Sequence, residues 1–343
     1  MEKLHFASDY MEGAHPQVLD ALVKTNNRST PGYGDDEFCK AAKKEILRTC
    51  GCPDGEVYFL VGGTQVNAVL IDAILRPYQG VIAADTAHIA VHEAGAIEYG
   101  GHKVLVCEGE EGKLSARAVR RMIRDYVDDA NREHMVMPGM VYLSQPTEYG
   151  TLYSKEELED ISAVCRDAGI PLYVDGARLA YALAAPENDV TLEDMAALTD
   201  AFYIGGTKCG LLFGEALVMT GRSKIPHFFS MIKQHGALLA KGRLLGVQFQ
   251  ALFQDGLYER IGMPAIENAA RIKRKLRERG YELAVDSPTN QVFVTVDNAL
   301  LQRLGERVEY SFMEKVDEDH TMIRLATCWS TTEEKTAELL KLF

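Results

Sequence analysis

The regular alternation of short apolar runs with amphipathic stretches constrains this chain more than any other feature. Runs at 57–61, 81–84, 103–106, 140–144, 172–175, 201–204 and 216–219 are rich in aliphatic and aromatic residues. Several are apolar throughout, as strands buried on both faces are. Between them, 36–49, 65–75, 116–131 and 155–168 repeat their apolar residues at helical spacing. Strand, helix and strand at this tempo predict an α/β fold, with a mostly parallel seven-stranded sheet covered by helices up to about residue 220. The texture then changes. Residues 224–254 read as one or two long helices without intervening strands. A charged helix at 266–279, strands at 291–296 and 321–327 and a closing helix at 333–342 follow. The expected organisation is a large domain over 1–250, with an N-terminal arm, and a smaller C-terminal α/β domain over 251–343.

Charge narrows the partners. With 37 basic against 50 acidic residues the net charge is −13, which argues against a surface for nucleic acid or anionic membrane. No apolar run approaches the ~20 residues of a bilayer span, and the first residues, MEKLHFASDYMEG, lack a basic-then-apolar leader pattern. A soluble, cytoplasmic protein is expected. Seven scattered cysteines read as reduced thiols rather than a disulfide framework. Cys50-x-Cys52 is too tightly spaced for a zinc knuckle, and no metal site is expected.

The common dinucleotide, P-loop, serine-hydrolase and zincin signatures are missing, so the chemistry must come from four other segments. Gly62-Gly63-Thr64-Gln65 follows an apolar strand and opens a helix. Its glycines allow close backbone approach, Thr64 offers a cap and a hydroxyl, and the helix start favours a phosphate. An ordinary capped turn reads the same way. Asp175 ends a strand where α/β sheets place ligands, with Arg178 three residues on; the pair also reads as a structural ion pair. Lys208 stands alone among small residues in Gly205-Gly206-Thr207-Lys208-Cys209-Gly210. Such a lysine suits a Schiff base, although a surface lysine in a glycine-rich loop is the usual alternative. His88 and His92, four apart, could share a helix face as ligands or as a structural pair, or lay a flat ring on an aromatic ligand. Taken together, a phosphate cradle, an acid, a lone amine and an imidazole at strand ends are the set that pyridoxal phosphate needs.

Taken in order, Ser8-Asp9, Tyr33-Gly34-Asp35-Asp36, Gly62-Gly63-Thr64-Gln65-Val66-Asn67, Ala87-His88, Glu93-Ala94-Gly95, Asp175-Gly176-Ala177-Arg178, Lys208 and Arg324-Leu325 resemble the low-specificity threonine aldolases. That group belongs to the β-eliminating lyases among the fold-type-I pyridoxal-phosphate enzymes, and the likeness runs from residue 6 to about 330. The resemblance implies that Lys208 carries the cofactor aldehyde, Asp175 faces its ring nitrogen, His88 stacks on its ring, and Gly62, Gly63 and Thr64 hold its phosphate. It implies that Arg178 lies beside cofactor and substrate, and that Ser8 and Arg324 grip the substrate carboxylate. It further implies a homodimer or homotetramer with shared sites, in which Tyr33 and a basic residue, Lys241 or Arg243, reach a neighbouring subunit.

One departure stands out. Where family members carry a histidine after the strand end, Ser144-Gln145-Pro146-Thr147-Glu148-Tyr149-Gly150 places Glu148, a candidate base if burial raises its pKa. The expected activity is retro-aldol cleavage of threonine or allo-threonine to glycine and an aldehyde. Its rivals are β-elimination from aromatic or sulfur amino acids, and transamination.

Overall fold

The computed structural model describes residues 3–222 and 225–343. A two-residue strand, β1 (Leu4–His5), lies in an N-terminal arm. The main sheet is built from β2 (Glu56–Leu60), β3 (Gln79–Ala84), β4 (Lys103–Cys107), β5 (Met137–Ser144), β6 (Leu172–Asp175), β7 (Ala201–Gly205) and β8 (Glu215–Met219). Its order is β2-β8-β7-β6-β5-β3-β4. The pairings from β7 across to β4 are all parallel, whereas β8 runs antiparallel to both of its neighbours. The carboxyl ends of β2, β3, β5, β6 and β7 therefore share one edge, and β8 begins at that edge. β6, β7 and β8 are buried along their whole length, which accounts for their apolar sequence apart from Asp175 and Glu215 at the cavity edge.

A second sheet combines β9 (Leu283–Val285), β10 (Gln291–Asp297), β12 (Ser311–Lys315) and β13 (His320–Ala326) in the order β12-β13-β10-β9, all antiparallel. Between them β11 (Val308–Glu309) pairs in parallel with β1, which ties the arm to this half. Two apolar cores result. The first includes Leu252, Leu257, Ile261, Ala265 and Ile266; the second takes Ala269, Ile272 and Leu276 together with Phe6 of the arm. The helix Met263–Glu278 serves both.

Local rules explain several helix starts. Asp36 caps the helix Glu37–Thr49 through the Cys39 N–H, and Ser154 with Glu157 forms a capping box at the helix Lys155–Ala168. The expected helix at 116–131 stops at Asp128 and continues as a 3-10 turn over Arg132–His134. The stretch expected as long helices from Lys224, which itself lies outside the described residues, resolves into Phe228–Gln234 and Arg243–Phe253. Glycines stand on both sides of the break. Gly236 has φ +66°, and Gly242 lies against Gly34 so closely that a Cβ would fall 2.5 Å from its nitrogen.

Candidate active site

A cavity of about 310 Å³ opens at the shared edge of the main sheet. Gly62, Gly63 and Thr64 line it after β2, His88 after β3, Glu148 after β5, Asp175 at the tip of β6 and Lys208 after β7. The segments at scattered sequence positions thus meet because parallel strands deliver their carboxyl ends together.

The helix Gly63–Ile74 begins two residues earlier than a Thr64 cap would start it. Gly62, extended, is the N-cap, and no side chain bonds the first turn. Its N–H groups are left open toward the cavity at the positive end of the helix dipole, an arrangement that suits an anion. Gly63 is required sterically: a Cβ there would fall 2.6 Å from the Tyr203 hydroxyl oxygen.

Asp175 is 5% exposed. Its Oδ2 accepts from the Tyr142 hydroxyl at 2.7 Å and the Asn67 amide at 3.2 Å, and Oδ1 accepts from the Ala177 N–H at 3.0 Å. Asn67 also donates to Glu93 Oε1 at 2.7 Å and is itself fixed by the Tyr173 hydroxyl at 2.6 Å. Glu93 in turn meets His88 Nδ1 at 2.7 Å. A single amide therefore links the acid at the cavity floor to the carboxylate that orients the imidazole. The His88 and His92 rings stand 5.7 Å apart and tilted.

Lys208 has no ion-pair partner among the described residues; its Nζ lies 5.9 Å from the Tyr10 ring centre. Arg178 does have one. Its Nε and Nη2 donate to Asp9 at 2.6 and 3.0 Å, and Asn290 adds a bond to the same carboxylate at 2.9 Å. Burial pushes the Asp9 carboxyl up, but Arg178, Lys208 and the Asn290 hydrogen bond together outweigh it and hold the group below the usual range. Glu148 Oε1 accepts from the His88 N–H at 2.8 Å and from Ser144 at 2.7 Å. Burial raises its pKa, against the pull of the Ser144 hydroxyl.

An adjoining chamber of about 590 Å³ shares His88, Glu148, Arg178 and Lys208 with the first and adds Arg324. Arg324 donates to Gln291 at 3.0 Å, Ser311 at 3.0 Å and the Ala7 carbonyl at 3.2 Å, while its Nε is buried without a partner. The Ser8 hydroxyl is likewise buried and unpartnered. Burial, then the nearby Arg178, pulls the Arg324 guanidinium below its ordinary value. Such a site invites an anion. Tyr33 and Lys241 lie elsewhere. Neither lines the cavity within one chain, although the Tyr33 N–H bonds the Ala240 carbonyl at 3.1 Å and so sits beside the Lys241 loop. Arg243 bonds the carbonyls of Thr25 and Asn26.

The sequence matches the family described as Beta-eliminating lyase over residues 5–299. The chain belongs to the β-eliminating lyases. This lyase is 32% identical to the low specificity L-threonine aldolase of Pseudomonas aeruginosa, over 98% of this chain and 96% of that one. A solved structure of the threonine aldolase of Leishmania major is 41% identical and superposes with a TM-score of 0.95, covering 98% of each chain. An aspartate aminotransferase from Thermus thermophilus shares the fold alone, at 16% identity and a TM-score of 0.72, over 100% of this chain and 91% of that one. Family and fold together imply dependence on pyridoxal phosphate in an α/β fold of type I.

The residues present in this lyase fit that group. An uncapped helix start suits its phosphate, a buried acid held by donors suits its ring nitrogen, and an amine outside any ion pair among the described residues suits its aldehyde. Three contributors escaped the sequence reading. Tyr142 is hidden inside an apolar strand, two residues from Ser144 on the same face; Asn67 sits in a quoted motif with no role attached. Glu215 lines the cavity at the first position of β8, just ahead of the run at 216–219. A carboxylate directly before an apolar strand was the available signal.

Proposed function

We propose that this lyase cleaves the Cα–Cβ bond of β-hydroxy-α-amino acids, threonine and allo-threonine foremost, to glycine and an aldehyde, with pyridoxal phosphate held at Lys208. The observation that carries this is that Lys208 and Asp175 line one cavity, next to a chamber lined by Arg324, whose Nε lacks a partner. When bound, the cofactor supplies a sink for the electron pair released at Cα.

The chain's own residues do the rest. Gly62, Gly63 and Thr64 would hold the phosphate through the open helix start. Asp175, held by three donors, would brace the ring nitrogen, and His88, aimed by Glu93, would lie against the ring. Arg324 and Ser8 would fix the substrate carboxylate, since Arg178 is already matched to Asp9. Glu148 stands where it can take the β-hydroxyl proton as the Cβ–O bond becomes a carbonyl; the bonding pair passes to Cα, which is later protonated. Because burial holds its pKa above the usual carboxyl range, kcat/KM should rise with pH as this group ionises. Glu148→Gln should remove that rising limb and lower the rate by roughly 10²-fold or more; an unchanged pH profile assigns the base elsewhere.

A homodimer or homotetramer with shared sites fits the same reading. Tyr33 is 46% exposed at φ 59°, a conformation unusual for a bulky residue, beside the loop that carries Lys241. Both would complete a neighbouring subunit's cavity. The decisive assay incubates the cofactor-loaded protein with L-threonine and with L-allo-threonine and measures acetaldehyde and glycine. Pyruvate and ammonia instead would indicate β-elimination; no product from either substrate would refute the aldolase assignment.

A further inference from the structure

We infer that Glu215 is a positioning residue for Lys208: its carboxylate pins the two residues that precede the lysine and faces the amine as its counter-charge. The inference rests on the proposed attachment of the cofactor at Lys208, and it concerns a residue to which neither the motif pattern nor the comparisons attach a role.

The geometry starts from the reversal of one strand. Since β8 runs against its neighbours, its first residue arrives at the edge where the others end. There Glu215 pairs with Leu60 of β2 and with Gly205 of β7. It is 4% exposed. One carboxylate oxygen accepts from the Gly206 N–H at 2.9 Å and the other from the Thr207 hydroxyl at 2.7 Å. Thr207 in turn accepts from the Gly214 N–H at 3.0 Å. The loop that ends in Lys208 is thereby tied to the strand that returns beside it.

Pinning alone does not require a charge. Two donors can be met by a neutral acceptor, and a buried carboxylate costs several kcal/mol unless a cation balances it. Glu215 forms no ion pair among the described residues. Of the cations at the cavity, Arg178 is matched to Asp9, and Arg324 lies in the adjoining chamber. Lys208 shares the cavity wall with Glu215 and ion-pairs with no acid among the described residues; Asp9 also feels its charge but is already clasped by Arg178. The remaining titratable groups acting on Glu215 are Asp175, which opposes its ionisation, and Tyr173, Tyr203, Tyr258 and Cys209, each weakly acidic and held neutral by burial. Burial, only partly offset by Thr207 and Lys208, leaves the Glu215 carboxyl raised to about 7. It is therefore anionic on the alkaline side of neutrality, where a positive nitrogen at position 208 would hold its proton longer for having it there.

The test is a pH titration of the visible absorbance of protein loaded with pyridoxal phosphate, together with the cofactor dissociation constant from dialysis. Glu215→Gln should shift the transition of the lysine-bound band down by about one pH unit, a tenfold change in the proton equilibrium. Thr207→Val keeps the charge but removes the hydroxyl; it should weaken cofactor retention several-fold while leaving the transition in place. Should Glu215→Gln fail to fold, Glu215→Asp keeps the charge one methylene further back and should give a smaller downward shift. A Glu215→Gln titration that overlays wild type, or a Glu215→Asp transition at or above it, overturns the inference while leaving the cofactor assignment intact. Wild-type protein that shows no lysine-bound band removes both.

Discussion

The two walls of the active-site cavity are finished to different degrees. On the sheet side Asp175 receives three donors, and Asn67, Glu93 and His88 are joined to it in one hydrogen-bonded series. On the side built from the arm and the second sheet, Ser8 Oγ and Arg324 Nε are buried with nothing to bond. Buried polar atoms are normally satisfied. A wall braced by a bonded series, even with Glu93 Oε2 left over, suits a group that stays, and a wall with unmet donors suits a ligand that comes and goes. The difference separates where the cofactor is braced from where the amino acid is gripped.

Substitutions on the two sides should therefore fail in different ways. The largest effect belongs to Lys208→Ala, which should abolish both the borohydride-reducible visible band and turnover; a persisting band places the covalent attachment elsewhere. Asp175→Ala should leave the cofactor bound but lower kcat by about 10²–10³-fold, the usual loss when a preorganised charge is removed. Near-normal turnover in steady-state assays would take the sheet wall out of the chemistry. On the opposite wall, Arg324→Lys loses the planar fork and should raise KM by roughly 10–100-fold with kcat within a few-fold. If kcat falls as far as in Asp175→Ala, the two walls do not divide their work as described. The smallest effect is expected from Tyr142→Phe. Losing one of three donors to Asp175 should cost about 1 kcal/mol in thermal or denaturant unfolding, while KM for the amino acid stays unchanged.

Chemistry-bearing residues were legible where local sequence is unusual for its place. Lys208 is a lone cation among glycines, Asp175 interrupts an apolar run, and Gly62-Gly63 stands between a strand and a helix. Those contrasts survive in one dimension because strand ends are where a buried sheet first meets solvent. The supporting residues were not legible, since their roles exist only across folded contacts. Asn67 reaches Asp175 over 108 positions, Tyr142 reaches it over 33, and Asp9 meets Arg178 over 169. Thr64 misled for a related reason: its type suits a cap, but Gly63 packs against Tyr203 and begins the helix two residues sooner. In the fold, strands buried on both faces announced themselves, whereas the edge strand β12, with alternating exposure and a charged end, carried too little apolar signal to be found.

The arm that carries Ser8 and Asp9 gives the front of this chain an unusual standing. Asp9, 1% exposed, clasps Arg178 from the main sheet and Asn290 from the second half at once, and β1 is stitched to β11 just before it. Most enzymes can lose their opening dozen residues as one trims a loose thread. Here a cut just past Asp9 would take out the clasp and one finger of the substrate's hand together, so any tag or immobilising anchor belongs at the other end of the molecule.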